Sequence, residues 1–192
     1  GSISLNLKAG TVPVSFEDGI GWMTPPPVQL GDSFGPAKAA ELINLPTDAL
    51  DPDFPVRFAE VGPRFILIGV KDLASLRAAR LDGELQRAYM QEGLGVQCVF
   101  VFTSEPYGPD ADFASRMFFD AGGVREDPAT GSANTAFAAY LHDLQGGEFE
   151  VVVDQGVEIL RPSRLYLKIG ATIRVGGRTQ LVATGAFAPS LI

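Results

Sequence analysis

At 192 residues, 46% of them hydrophobic, the chain has material for one full domain and attached pieces of another. Its formal net charge of −8 is unfavourable for nucleic-acid phosphates or an anionic membrane surface, although a helix N-terminus or a single arginine still acts on a small anion at short range. No stretch approaches the roughly 20 consecutive apolar residues of a membrane-spanning helix.

In chain order, Ile3, Leu5 and Leu7 alternate with polar neighbours, as do Val12, Val14 and Phe16, and both runs read as strands. Glu17-Asp18-Gly19 before Ile20–Met23 is a hairpin signal. Pro25-Pro26-Pro27 favours a stiff, extended passage between domains, with Trp22 beside it as a packing anchor or cleft aromatic. Ala37–Leu45 is a short helix candidate, and Val56–Ala59 and Arg64–Val70 are strand-like. Asp72 can cap a helix over 72–80, and 83–92 continues helically. Val96–Phe102 then makes a buried strand. Within it lies Cys98, the single cysteine, which excludes an intrachain disulfide, reads as core packing and fits a reducing cytoplasm. After a helix from Ser132, strands are expected at Glu148–Val153, Val157–Leu160, Leu165–Ile169, Thr172–Val175 and Thr179–Ala186, with Gly176-Gly177 as a tight link between the last two. The single histidine, His142, lies beside Asp143 at the end of that helix, where the dipole favours it; one His and one Asp make no zinc site.

Glu126-Asp127-Pro128-Ala129-Thr130-Gly131-Ser132-Ala133-Asn134 is the stretch richest in chemistry. Pro128 fixes its own φ and pushes Asp127 toward extended backbone, holding that carboxylate outside the coming helix. Gly131 permits close backbone approach or a positive φ. Thr130 or Ser132 can cap the helix, whose first N–H groups have no intrahelical partner and offer a carboxylate or phosphate a site. From residue types alone the same stretch also reads as plain turn-and-cap chemistry. The small residues that follow, Ala133, Ala136 and Ala138 among them, suit a helix tightly enclosed by sheet. Glu126 reads as a supporting charge near the helix entry. Arg116 and Arg164 read as partners of structural acids or carbonyls ahead of substrate binding, and Tyr140 as core.

The segment from Ser115-Arg116-Met117-Phe118-Phe119-Asp120 through Leu141 resembles the signature region of the PhzF-like isomerases of phenazine biosynthesis, relatives of diaminopimelate epimerase. Val153-Asp154-Gln155-Gly156 with Arg161-Pro162-Ser163-Arg164-Leu165 is similar to the family's next run, and Ile173-Arg174-Val175-Gly176-Gly177-Arg178 resembles its penultimate hairpin. Lys8-Ala9-Gly10-Thr11-Val12-Pro13-Val14 and Trp22–Pro27 resemble the strands leaving the first domain, so the likeness covers nearly the whole chain. Asn134 stands where many relatives have histidine, and Leu160 where a glycine usually precedes Arg-Pro-Ser.

This resemblance implies an α+β fold of the diaminopimelate epimerase type, a mainly antiparallel, barrel-like sheet wrapped around a central helix. It implies remnant first-domain strands and crossing over 1–27, a complete C-terminal barrel-and-helix domain over 28–182, and a strand over 183–192 returning toward the first domain. It implies Asp127 and Ser132 as catalytic, with Thr130, Gly131 and Ser132 binding a substrate carboxylate. The reaction implied is cofactor-free proton movement, as in isomerisation of trans-2,3-dihydro-3-hydroxyanthranilate, by a cytoplasmic homodimer. Diaminopimelate epimerases use paired cysteines; with Ser132 in the signature and only Cys98 elsewhere, that chemistry is not available. Family members also carry a first half with a catalytic glutamate and a glycine-histidine motif. These are not found here, so Gly1-Ser2 reads as an expression scar and the chain as truncated, expected to be inactive alone. The alternative reading is a non-catalytic anion-binding or dimerisation module.

Overall fold

Two kinds of strand pattern divide the molecule. Phe65-Ile66-Leu67-Ile68 and Val99-Phe100-Val101-Phe102 are apolar without interruption, whereas buried and half-exposed positions alternate along Phe149–Gln155 and Ser163–Ile169. The first pattern belongs to strands covered on both faces, the second to strands with one wet face.

The computed structural model describes residues 1–7 and 10–186. Its elements are β1 (Ser2–Leu7), β2 (Gly10–Glu17), β3 (Ile20–Met23), β4 (Gln29–Ser33), α1 (Pro36–Leu42), β5 (Arg57–Glu60), β6 (Arg64–Gly69), α2 (Leu73–Ala78), α3 (Gly83–Gln91), β7 (Cys98–Thr103), β8 (Phe113–Asp120), β9 (Val124–Asp127), α4 (Gly131–Gln145), β10 (Phe149–Gln155), β11 (Ser163–Ile169) and β12 (Arg174–Arg178). All the strands join one 12-stranded sheet, ordered β1-β2-β3-β12-β11-β10-β8-β7-β6-β5-β4, with β9 attached to β8. Pairing is antiparallel except at β6–β7 and β8–β10, whose crossovers carry α2 with α3 and β9 with α4. The α+β class and the mainly antiparallel sheet are as the sequence implies. Barrel-like closure is not: β1 and β4 end the sheet, which curls around α4 and stays open.

Side-chain parity builds three layers in the half from β5 to β8. Phe65, Leu67, Phe100, Phe102, Phe113 and Met117 face α4, while Ile66, Ile68, Val99, Val101 and Phe118 face α1, α2 and α3. Ala133, Ala136 and Ala138 of α4 are fully buried, as is Phe137, whose ring lies 4.5 Å from that of Phe102. Tyr140 is core, its hydroxyl donating to the Pro55 carbonyl. An Ala136→Leu substitution is expected to cost about 1–3 kcal/mol, because a filled interior has no room for three more carbons. Urea denaturation checks this, and an unchanged midpoint would show slack around α4.

Local chemistry accounts for most element ends. Asp18 and Gly19 both take positive φ (52° and 76°), which makes the β2–β3 hairpin turn. Asp72 accepts from the Ser75 N–H and Asp82 from those of Glu84 and Leu85, capping α2 and α3. Trp22 is buried between β12 and β2, with Lys168 Nζ 4.4 Å from its ring centre.

Three sequence expectations are corrected. Residues 157–160 form no strand: Val157–Ile159 is a single 3₁₀ turn, and exposed Leu160 takes the left-handed conformation at φ 58°. That conformation favours glycine, which explains the relatives' residue type there. Gly176-Gly177 is no turn, because β12 runs through it; a Cβ on Gly176 would sit 2.7 Å from Trp22 Cε3, and close approach rather than chain reversal is the glycine's use. Consequently 179–186 forms no strand, and the remainder of the expected return strand, 187–192, lies outside the described residues. β4, directly after the prolines, was not expected; its residues Gln29–Ser33 carry little apolar pattern and it occupies a sheet edge.

Candidate active site

The turn entering α4 is fixed from both sides. Gly122 and Gly123 reverse β8 into β9, and Asp120 accepts from the Gly123 N–H at 2.7 Å. Adjacent carboxylates on β9 then diverge, as alternation requires. Glu126 meets Arg116, with Nε to Oε1 at 3.0 Å and Nη2 to Oε2 at 2.7 Å, while Arg116 Nη1 donates to the carbonyls of Leu76, Arg77 and Ala79 at the end of α2. Arg164 likewise pairs with Asp154, at 2.8 and 3.2 Å. Both arginines therefore have structural partners.

Asp127, half-buried, turns the other way. Its Oδ2 accepts from the Thr130 hydroxyl at 2.6 Å. Thr130 occupies the N-cap position of α4 without making a side-chain cap bond, and Ser132 lies inside the helix, so neither caps it as expected. Nor does Gly131 take a positive φ; it is the first residue of α4. The N–H groups of Gly131 and Ser132 have no acceptor among the described residues. They are the orphan donors that every helix start presents, here at the positive end of a 15-residue helix.

Gly131 borders an open cleft of about 500 Å³, whose walls include Met23, Leu165 and Val175 and whose rim includes Ser163, Arg164 and Arg178. A Cβ on Gly131 would come 3.8 Å from Met23 Cε, and one on Gly177 would meet nothing within 4 Å. The cleft thus sets apolar walls beside the head of α4, an arrangement suited to a carboxylate on an apolar body. Asp127, Thr130 and Ser132 stand beside Gly131 in sequence without lining the cleft wall itself.

Gln155 lies in a run that carries the family resemblance, yet its neighbours in sequence give it no role. Fully buried at the end of β10, it bonds to Asp127 O, Thr130 Oγ1, Thr130 N and Asn134 Nδ2. Its burial was legible from alternation along β10; its partners, some 20 to 28 residues distant, were not. Cys98 starts β7 half-buried, and burial pushes its thiol pKa up, away from nucleophilic use. Among the described residues no three His, Cys, Asp or Glu side chains converge, and no helix is long and apolar enough to cross a membrane.

An open sheet curled on one helix, with a carboxylate and orphan helix donors at the helix head, is an α+β arrangement of the diaminopimelate epimerase type. Within that class the chain belongs to the PhzC-PhzF family of phenazine biosynthesis-like proteins, whose model matches residues 1–186. That match does not bear out the expectation of a truncated family member. The chain is 33% identical over 181 residues to the trans-2,3-dihydro-3-hydroxyanthranilate isomerase of Pseudomonas aeruginosa, covering 89% of this chain and 60% of that enzyme. It is 25% identical to the uncharacterized isomerase YfhB of Bacillus subtilis, over 95% of this chain and 63% of the relative. It therefore spans about three fifths of the length of these relatives. A PhzF-family phenazine biosynthesis protein of Bacillus anthracis superposes with a TM-score of 0.79 at 23% identity, over 92% of this chain and 65% of that one, a likeness of fold.

Proposed function

We propose that the chain supplies one half of the active site of a PhzF-like isomerase, moving a proton within a small carboxylate-bearing substrate of the dihydro-hydroxyanthranilate type without a cofactor. The observation that carries this reading is the pairing of Asp127 with Thr130 at the point where the Gly131 and Ser132 N–H groups have no acceptor among the described residues. The substrate carboxylate binds those donors and the Ser132 hydroxyl, held by the positive end of α4. The apolar walls take the ring. Asp127 orients or shuttles the migrating proton, within reach of general acid–base chemistry. The family's glutamate takes the proton from carbon and returns it, and in this reading it comes from the other half of the site. Residues 1–27 and 183–192 then belong with that other half, and 28–182 form the C-terminal domain. The lone cysteine suits a cytoplasmic setting.

Proton NMR of the dihydro-hydroxyanthranilate in deuterated buffer tests this, using the chain alone and with a segment bearing the family's glutamate added in trans. Deuterium is expected in product only with the added segment, and Asp127→Asn is expected to abolish it while leaving the far-ultraviolet circular dichroism intact. Exchange by the chain alone would remove the half-site reading. No exchange in either mixture would remove the isomerase reading.

A second reading, a dimerisation module, is favoured by the ribbon β1–β3. Ile3, Leu5 and Phe16 are 40–50% exposed on one face of it, a bare apolar edge of the kind that recruits a partner. A homodimer covering that face is expected in sedimentation equilibrium at micromolar concentration; a monomer counts against it.

A further inference from the structure

Hydrogen-bond directions around Gln155 leave one arrangement. Its Oε1 faces two donors, Asn134 Nδ2 at 3.0 Å and Thr130 N at 3.4 Å, so the carboxamide oxygen must point there. Its Nε2 then donates twice, to the Asp127 carbonyl at 2.7 Å and to Thr130 Oγ1 at 3.0 Å. A hydroxyl that accepts from Gln155 has its own proton free for another acceptor, and Asp127 Oδ2 lies 2.6 Å away. Asn134 is fixed in turn, because its Nδ2 also donates to the Thr130 carbonyl. The chain of donors thus runs in one direction, from α4 through Gln155 and Thr130 to Asp127. Asp127 Oδ1 has no partner among the described residues.

We propose that Gln155 is a positioning residue for proton transfer: through the Thr130 hydroxyl it holds the Asp127 carboxylate with Oδ2 occupied, so that Oδ1 is the oxygen that carries the proton. This rests on the isomerase reading given above. The carbon-bound proton is left to the glutamate; a proton that Oδ1 receives from a substrate heteroatom converts the carboxylate to the carboxylic acid and is returned to the substrate, so the side chain ends the cycle as it began. An amide is needed at position 155 because the site requires two donations and two acceptances from one side chain. A carboxylate there donates nothing, and a hydrocarbon neither donates nor accepts. With Gln155 and Thr130 fully buried and 8% exposed respectively, water cannot readily replace either bond.

The test uses the isotopically labelled chain and the Asp127 χ1 angle, read from three-bond couplings to its side-chain carboxyl carbon. The wild type is expected to show one rotamer. Thr130→Val, which keeps shape and removes the hydroxyl, and Gln155→Met are expected to show rotamer averaging, and Thr130→Ser to recover the single rotamer. In the exchange assay with the added segment, Gln155→Met is expected to lower kcat by about 10- to 100-fold, the range for outer partners that orient a reacting group, with KM changed by less than about threefold because the helix donors remain. A single rotamer in Thr130→Val overturns the proposal, as does averaging in Gln155→Met with an unaltered kcat. Should Gln155→Met fail to fold, Thr130→Val decides it alone. If the wild type gives no exchange, the isomerase reading fails, and the role of Gln155 in proton transfer fails with it; the rotamers then report only the geometry of the turn.

Discussion

Glu126→Ala is expected to lower the folding free energy by about 3–5 kcal/mol, the cost of leaving one partner of a buried ion pair without the other. The side chains of Arg116 and Glu126 are only 6% and 8% exposed, and both carboxylate oxygens are engaged by the guanidinium fork. Arg116 stands on the β8 face turned to α1–α3, between Ala114 and Phe118, and its ring contact with Phe118 is 4.7 Å. Without Glu126 the cation keeps three carbonyl partners at the end of α2, yet no counter-charge within the same shell, and water has no easy path to it. The loss reaches the candidate site, because Glu126 is the inward-facing residue of β9 immediately before Asp127. Arg116→Lys is expected to be costly too, since an ammonium cannot hold a carboxylate bidentately while also closing the carbonyls of α2. Urea denaturation of both variants is the measurement. A midpoint for Glu126→Ala equal to that of the wild type would show that the guanidinium reaches solvent.

How much of this was legible beforehand depended on the range of the interaction. Alternation exposes β1 and β2, an Asp-Gly turn the first hairpin, and Asp72 its helix, since each is decided within a few residues. The small residues of α4 foretold its enclosure, because only a helix surrounded by sheet gains from losing its side chains. Glycines were read less well. Gly176 and Gly177 carry the sequence mark of a turn, but Trp22, more than 150 positions earlier, needs the space that Gly176 leaves. The same limit applies at the site. Asp127, Thr130, Gly131 and Ser132 are expected as site residues from a contiguous stretch and the family resemblance, whereas the bonds that hold Asp127 and Thr130 in place come from Gln155 on another strand. Thr130 or Ser132 is expected to cap because a hydroxyl at a helix start commonly accepts from its N–H groups; here the Thr130 hydroxyl instead donates to the carboxylate three residues back and accepts from Gln155 Nε2 on another strand.

Gly156→Ala is expected to destabilise the protein by about 2–4 kcal/mol and to disorder the Asp127 turn as well. Two independent costs act there. The residue has φ 77°, in the left-handed region that L side chains enter at about 1–2 kcal/mol. A Cβ would also lie 2.5 Å from the Arg161 carbonyl oxygen, 2.8 Å from that of Pro128 and 2.9 Å from Pro128 Cα, all backbone atoms that no rotamer change can move aside. The chain after β10 packs directly on the turn that carries Asp127, so relief requires separating the two segments. Gln155 is the preceding residue, and its donations to Asp127 O and Thr130 Oγ1 would lengthen with that separation. Gly177→Ala is the matched comparison: φ is not positive, nothing lies within 4 Å of its Cβ, and a strand interior favours alanine over glycine, so stability should hold or rise by up to about 1 kcal/mol. Thermal and urea denaturation of the two variants, with the Asp127 couplings recorded on Gly156→Ala, separate the steric account from a general intolerance of the strand ends. Equal stability of the two would mean that the Pro128 turn yields, and that its position does not depend on close packing against Gly156.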